Sequence, residues 1–211
     1  MAAEPDYGAL LDALRGVSWP ARIASKGAVS GTHKSRLRGS SAEFTEYRAY
    51  RQGDDPRRLD WKLLARTDRA FLRITSERAT LPTLIAVDAS ASMRFESKWA
   101  FASALAVGLA GVAHAGGDPV GLLVTGEPPR RLPLRARRGV IAEIARMLDG
   151  TRPAGSAGSA GPLREQRGAA RVALLSDLLD GAELSRGGSE LMARGIELVV
   201  VHVVAREELD P

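Results

Sequence analysis

Short apolar runs alternate with helix-like stretches through the chain from residue 81 onward. The predicted strands are Thr83–Val87, Val120–Val124, Val172–Leu175 and Glu197–Val204, and the predicted helices are Trp99–Ala115, Gly139–Leu148 and Glu183–Arg194. Alternation of strand and helix at this spacing predicts an α/β fold of three layers with a mostly parallel, Rossmann-like sheet. The last run is nearly continuous in β-branched residues, which predicts a strand buried on both faces.

The first 80 residues follow a different pattern. Leucines at helical spacing predict one amphipathic helix, Tyr7 to Val17, and alternation predicts a strand over Phe71–Thr75. The remainder is irregular and rich in Gly, Ser and Arg. We therefore expect a segment of residues 1–80 packed on an α/β domain of residues 81–211, with Trp61 as an apolar anchor of the segment.

The first strand of the α/β part ends at a group of oxygen-bearing side chains. Asp88 closes the strand, Ser90 and Ser92 follow at alternate positions, and Asp177 follows a later strand. The carboxyl ends of parallel strands share one sheet edge, and oxygen ligands suit Mg²⁺ or another divalent cation. This pattern predicts a cation held by all four side chains, each carboxylate binding directly or through a water. Neutral serines leave much of the ion's charge uncompensated, which favours an acidic group from outside.

Two other interpretations stay open at this point. An aspartate after a strand also commonly closes a turn or caps a helix by accepting backbone N–H bonds. The low-complexity stretch Arg152–Pro162 is either a mobile loop or a loop near the strand ends that lends the hydroxyl of Ser156 or Ser159 to the cation.

Composition narrows the class of protein. The 211 residues are 45% apolar and 26% charged, as in globular domains, and they include no cysteine, which excludes disulfides and zinc–thiolate sites. The N-terminus is acidic and lacks the order of a secretory signal. The longest apolar stretch, Trp99–Ala115, falls short of a membrane span. We expect a cytoplasmic chain without a membrane-spanning segment.

The positive charge is concentrated in the first part of the chain. Of a net charge of +5, residues 1–80 carry the whole excess, with 15 Lys/Arg against 10 Asp/Glu. Acids alternate with the arginines over Arg51–Asp60, which indicates internal ion pairing. We therefore expect nucleic acid not to be the ligand. The alternative is a nucleic-acid site formed by the basic N-terminal part and by five arginines in and after a predicted hairpin around Arg130–Leu134, which are Arg130, Arg131, Arg135, Arg137 and Arg138.

The motifs resemble a known family. Asp88-Ala89-Ser90-Ala91-Ser92 before a helix, with Asp177 downstream, resembles the metal-ion-dependent adhesion site of the von Willebrand factor A-like fold. The upstream residues are similar to those of the bacterial domain-of-unknown-function family fifty-eight, and they include Gly39, Glu43-Phe44, Tyr47-Arg48-Ala49-Tyr50, Gly53-Asp54-Asp55, Arg58-Leu59-Asp60-Trp61-Lys62 and Ala65-Arg66.

The resemblance implies a non-enzymatic, metal-dependent protein-interaction module. Its partner would present a carboxylate, and the family's links imply a MoxR-type AAA+ ATPase or that ATPase's client. The fold usually supplies a threonine from the loop before the Asp177 strand. Ala157 stands at that position here, so Ser156 or Ser159 would have to substitute.

The competing class is a metal-dependent phosphohydrolase with Asp88 as nucleophile. Phosphoryl transfer needs strong charge neutralisation and a placed acid or base. The second position after Asp88 is Ser90 instead of a carboxylate, and no histidine lies nearby in sequence. These residues favour binding over catalysis.

Overall fold

The structure is a computed structural model and describes residues 6–20, 44–76, 80–126, 128–156, 160–179 and 181–209. The chain divides into two compact units, a small unit of residues His33–Thr80 and an α/β unit of Met1–Thr32 with Leu81–Pro211. The small unit ends at Thr80, and the α/β unit resumes at Leu81. However, the N-terminal helix belongs with the α/β unit instead of the segment that follows it.

The small unit contains more regular structure than its composition suggests. Its elements are strand β1 (Phe44–Ala49), a 3₁₀ turn (Pro56–Arg58), helix α2 (Trp61–Thr67) and strand β2 (Phe71–Ser76), numbered after the N-terminal helix α1 (Tyr7–Ala13). Strands β1 and β2 pair antiparallel over six residues. Asp55 and Asp60 cap the 3₁₀ turn and α2 by accepting backbone N–H bonds.

Trp61 does not anchor a core. It lies in the first turn of α2 and is 64% exposed, so the prediction was wrong. The chain turns at Gly53, which takes a positive φ of 103° that glycine adopts readily. Asp54 accepts hydrogen bonds at 2.8 Å from the Arg51 amide and the Arg48 guanidinium, which lower the pKa of its carboxyl.

The α/β unit is built on a five-stranded sheet. Its remaining elements are β3 (Thr83–Asp88), a 3₁₀ turn (Ala91–Arg94), α3 (Lys98–Ala115), β4 (Val120–Thr125), β5 (Arg130–Arg135), α4 (Val140–Asp149), α5 (Ala160–Arg164), β6 (Arg171–Ser176), α6 (Gly181–Ala193), β7 (Glu197–His202) and α7 (Arg206–Leu209). The strand order is β5-β4-β3-β6-β7, and only β5 pairs antiparallel. The predicted mostly parallel α/β sheet is confirmed.

Helices cover the sheet on both faces. Ile85 and Val87 of β3 pack on one face in a cluster with α3 and α4, whereas Leu84 and Ala86 pack on the other face with Leu163 and other residues of α5 and α6. Every residue of β3 is buried, as expected of a central strand with helices on both sides. The unit therefore has three layers, helix on sheet on helix.

Strand β7 differs from its prediction. It forms one end of the sheet, next to β6, and every residue of it after the buried Glu197 is at least partly exposed, with Val200 at 47%. Burial on both faces was therefore wrong. A run of β-branched residues indicates a strand but does not distinguish an edge strand from a central one.

Helix α1 joins the α/β unit because α3 has glycines where α1 approaches. A Cβ at Gly111 would lie 2.3 Å from Leu11 Cδ2, and one at Gly108 would lie 3.0 Å from Leu14 Cδ1. By length and composition α3 would suffice to cross a membrane, but half of it is buried inside the fold. An apolar helix of this length that is half buried inside the fold is also typical of the core of a globular domain.

Gly121 allows the antiparallel edge strand to approach β4. The pairing shifts register here, and a Cβ on Gly121 would lie 2.8 Å from Leu132 O and 3.1 Å from Leu134 N. Both are backbone atoms that cannot rotate away. Gly121→Ala is therefore expected to lower the free energy of unfolding by about 1–3 kcal/mol in urea denaturation. Gly161→Ala is the control, because a Cβ there meets nothing within 4 Å. Equal stabilities of the two variants would contradict the close approach.

Asp118 carries a charge that the fold accommodates poorly. Burial raises its pKa above 3.8, and the Leu81 amide and the Arg171 charge only partly oppose the rise. The ionised Asp118 carboxylate therefore lowers the free energy of unfolding at pH values above the folded pKa. This cost is lost as the pH falls through the folded pKa and the carboxyl is protonated. Asp118→Asn is expected to gain less than about 1 kcal/mol at pH 7 and nothing near pH 3 in urea unfolding. A gain independent of pH would contradict this account.

Candidate metal centre

Parallel pairing of β3 with β6 brings the predicted side chains together. Val87 is paired with Leu175 in this register, so Asp88 lies beside Ser176, and Asp177 follows at the same sheet edge. Ser90 and Ser92 lie at the start of the 3₁₀ turn that follows β3. The four side chains assigned to a cation from the sequence therefore lie in one cluster.

Asp88 is held firmly by its neighbours. It is 1% exposed, its Oδ1 accepts the Ser90 amide at 2.9 Å, and its Oδ2 accepts the Ser176 hydroxyl at 2.6 Å. Ser176 Oγ in turn accepts the Leu178 amide at 3.0 Å. Asp88 thus does close a turn, as the alternative interpretation held. Its remaining lone pairs leave it able to reach a cation directly or through a water.

The two serine hydroxyls face each other. Ser90 Oγ lies 2.9 Å from Ser92 Oγ, and Ser90 is only 3% exposed. This distance suits a hydrogen bond between the hydroxyls. It also equals the spacing of about 2.9 Å between adjacent ligands of an octahedral Mg²⁺ with bonds of about 2.0–2.1 Å. The spacing of the two hydroxyl oxygens therefore matches adjacent positions of an octahedral cation.

Asp177 holds the most unusual atom of the cluster. It is 7% exposed, its Oδ2 bonds Lys98 Nζ at 2.9 Å, and its buried Oδ1 accepts no hydrogen bond. Burial raises its pKa, but the Lys98 hydrogen bond and charge, with the nearby Ser92 hydroxyl and Leu179 amide, bring the pKa below the ordinary value. A buried, ionised oxygen that no donor reaches with good geometry is costly. A cation beside it would satisfy this atom.

Sequence reasoning missed Lys98 and Glu208. Lys98 Nζ bridges Asp177 and Glu208, at 2.9 and 2.8 Å, although Lys98 is itself only 2% exposed. Burial lowers the pKa of Lys98, but the two carboxylates outweigh it and leave the pKa above its ordinary value. The hydrogen bonds from Lys98 and the Ala205 amide lower the pKa of Glu208. The sequence offered one indication of Lys98, because a lysine stands at the start of an otherwise apolar helix. No feature of the sequence indicated Glu208.

The formal charges of the cluster are not balanced. Asp177 and Glu208 contact the ammonium of Lys98, and Asp88 joins the cluster through Ser90 and Ser176, so these four charged side chains carry a formal net charge of −2. A divalent cation would neutralise this excess. Within the described ranges no three His, Cys, Asp or Glu side chains converge as a metal site. A cation here would therefore depend on the serine hydroxyls and on waters, as Mg²⁺ allows.

The glycine-rich loop runs beside the cluster. Ala154 N donates to Ala89 O at 2.8 Å, and Ala91 N donates to Gly155 O at 3.0 Å. Ser156 is exposed and directly follows this contact, so its position suits the role predicted for it. Ala157 and Ser159 lie outside the described residues.

A second hydroxyl near the cluster was not anticipated. Thr125 ends β4, is paired with Asp88 in the sheet register and is 2% exposed. Its Oγ1 lies 3.5 Å from Val87 O. The end of the neighbouring parallel strand was the signal that would have suggested it.

Comparison with known proteins confirms the resemblance to the domain-of-unknown-function family fifty-eight. The family model described as protein of unknown function DUF58 matches residues 46–210. The chain belongs to the DUF58 family. Similar proteins include the uncharacterized proteins Rv1480 of Mycobacterium tuberculosis and Mb1516 of Mycobacterium bovis, each 30% identical over 215 residues. The alignments cover 96% of this chain and 66% of each relative, so the chain spans just under two thirds of their length.

Proposed function

We propose that this DUF58 domain is a metal-dependent protein-interaction module with a von Willebrand factor A-like fold. Ser90, Ser92 and Asp177 would hold Mg²⁺ or a similar ion, and Asp88 would support it directly or through a water. A carboxylate of a partner protein would complete the coordination. The partner class implied by the family is a MoxR-type AAA+ ATPase or its client.

The observation that carries the proposal is the buried Oδ1 of Asp177. No donor reaches this oxygen with full hydrogen-bond geometry, and the Ser92 hydroxyl and the Leu179 amide only approach its carboxylate. Ser92 in turn lies 2.9 Å from Ser90, oxygen to oxygen. An ionised carboxylate oxygen and two adjacent hydroxyl oxygens are all suitable ligands for one hard cation.

The charge of the cluster explains why the partner would be acidic and why binding would need the ion. At a net charge of −2, the metal-free cluster repels a carboxylate. A divalent cation removes that repulsion and leaves positions filled by exchangeable waters. The partner's carboxylate would replace one of those waters, so affinity would depend on both the ion and the partner's geometry.

The contacts of Asp88 argue against the phosphohydrolase alternative. Both of its oxygens already accept hydrogen bonds, and the side chain is 1% exposed. A nucleophilic carboxylate must reach the substrate, and a side chain that is 1% exposed presents no oxygen to one. A buried carboxylate held by two hydrogen bonds is instead suited to supporting the bound cation.

The hairpin arginines are engaged within the protein. Arg130 donates to the carbonyls of Met147 and Gly150, and Arg131 pairs with Glu165 at 2.9 Å. Arg135 and Arg137 both pair with Glu143. Arginines held by carboxylates and carbonyls contribute less to phosphate binding, which favours the protein-interaction proposal over nucleic acid.

Manganese titration followed by electron paramagnetic resonance tests the proposal on chelator-treated protein. We expect one bound Mn²⁺ per chain. Ser90→Ala combined with Ser92→Ala, and separately Asp177→Asn, are expected to weaken binding by roughly 10–100-fold. Asp12→Asn is the matched control, because Asp12 is a well-exposed acid of the first helix. Equal Mn²⁺ affinity in all four proteins would refute the assignment of the site.

A further inference from the structure

Three large apolar side chains stand exposed around the candidate metal centre. Phe95 is 45% exposed, and Leu179 and Leu209 are each 74% exposed. We call these three residues the apolar rim. Single exposed apolar residues are common on protein surfaces, but a group of them around a polar centre is typical of an interaction site.

Contacts with the central ions fix the position of each rim residue. The Phe95 ring centroid lies 5.7 Å from Lys98 Nζ. Leu209 directly follows Glu208, whose Oε1 lies 2.8 Å from the same nitrogen. The Leu179 amide approaches the Asp177 carboxylate, which bonds Lys98 at 2.9 Å. Although distant in sequence, the three residues therefore each lie next to a member of one ion-pair network.

The backbone holds the rim in place. Leu178 takes a positive φ of 58°, which is rare for a large side chain, and its amide donates to Ser176 Oγ at 3.0 Å. This turn sets the course of the chain from Asp177 to Leu179. Glu208 is tied at both oxygens, to Lys98 and to the Ala205 amide, which fixes the helical turn that carries Leu209. A preformed surface loses little entropy on binding.

We infer that the partner segment carries apolar side chains on either side of its metal-binding carboxylate. This inference rests on the function proposed above and adds the class of sequence that is recognised. The cation supplies charge complementarity for the acid, and the rim supplies contact area for its apolar neighbours. The rim also keeps water from the carboxylate–metal contact, which strengthens that contact.

Peptide titrations followed by ¹⁵N NMR of the whole chain test the inference. The probes are three acetylated pentapeptides: GLDLG, in which leucines flank the acid; GSDSG, in which serines flank it; and GLNLG, which lacks the acid. With Mg²⁺ present, we expect GLDLG to bind about 10-fold more tightly than GSDSG, because two partly buried leucines contribute apolar contact. GLNLG is expected not to bind, and a chelator is expected to abolish binding of GLDLG.

Variants of the apolar rim distinguish the contribution of apolar contact to peptide affinity from the contribution of the metal–carboxylate contact. Leu179→Ser and Leu209→Ser are each expected to weaken GLDLG about 3–5-fold and to leave GSDSG unchanged. Met192→Ser is the control, because Met192 is 56% exposed near the far end of α6. No effect of Met192→Ser is expected, whereas an effect equal to that of the rim variants would overturn the inference.

The remaining outcomes distinguish the two proposals. Equal affinity for GLDLG and GSDSG, lost with chelator, would overturn the apolar rim and leave the metal-dependent function standing. Binding of GLDLG that ignores the chelator would contradict the function itself, as would no binding of either acidic peptide up to 10 mM. A dimer that dissociates in Leu179→Ser would assign the rim to a second copy of the chain and overturn the inference.

Discussion

Lys98→Met is expected to lower the free energy of unfolding of the metal-free protein by about 3–5 kcal/mol, the usual cost of removing one partner of a buried ion pair. Lys98 is 2% exposed and holds both Asp177 and Glu208 through its ammonium. Methionine keeps the apolar stem but leaves Asp177 ionised, buried and without its cation. Urea unfolding in the presence of a chelator measures the loss.

A second variant and a metal titration keep this prediction specific. Adding Asp177→Asn to Lys98→Met is expected to recover part of the stability, because it removes the stranded charge. The formal charge of the cluster in Lys98→Met is −3, so Mg²⁺ is expected to stabilise this variant more than the native protein. Lys62→Met, at an exposed position of α2, is the control. A loss no larger than the control's would contradict the role assigned to Lys98.

Arg171→Met is expected to cost about 3–5 kcal/mol for related reasons. The Arg171 side chain is fully buried beside Glu197, which is 5% exposed. Its Nη atoms donate to the carbonyls of Trp19 and Pro20 at 3.2 and 2.9 Å, and its guanidinium lies 4.4 Å from the Trp19 ring. Arg171 therefore ties the segment after α1 to the sheet, and methionine would leave these acceptors unsatisfied.

Thermal and urea unfolding would measure the Arg171→Met effect. Arg15→Met is the control, because Arg15 makes an exposed pair with Asp12 that is expected to contribute less than about 0.5 kcal/mol. Trp19 fluorescence is expected to respond in Arg171→Met even below the unfolding transition. Equal stability of the two variants, or unchanged fluorescence, would contradict the bridging role.

Local sequence pattern was sufficient to predict the α/β core. The strand ending at Asp88 and the helix after it show strong periodicity, and the sheet topology then places Asp177 at the same edge. Convergence of Asp88, Ser90, Ser92 and Asp177 could therefore be predicted from strand order alone. Whether these residues bind a metal depends on contacts that no pattern encodes.

The missed features depend on contacts between distant parts of the chain. Lys98 and Glu208 are 110 positions apart, and no spacing rule links them. The sequence does not show that the leucines of α1 pack against the glycines of α3. Residues 6–20 were therefore assigned to the wrong unit. Trp61 was placed in a core because aromatic residues are usually buried, yet its position in the first turn of α2 leaves it in solvent.

Anomalous diffraction from a crystal of this chain soaked in MnCl₂ tests the central claim most directly. The account predicts one strong peak in contact with the oxygens of Ser90, Ser92 and Asp177, at about 2.0–2.2 Å, with Asp88 bound directly or through a water. No peak at these oxygens, with the native Lys98 bridge intact under saturating Mn²⁺, would contradict it.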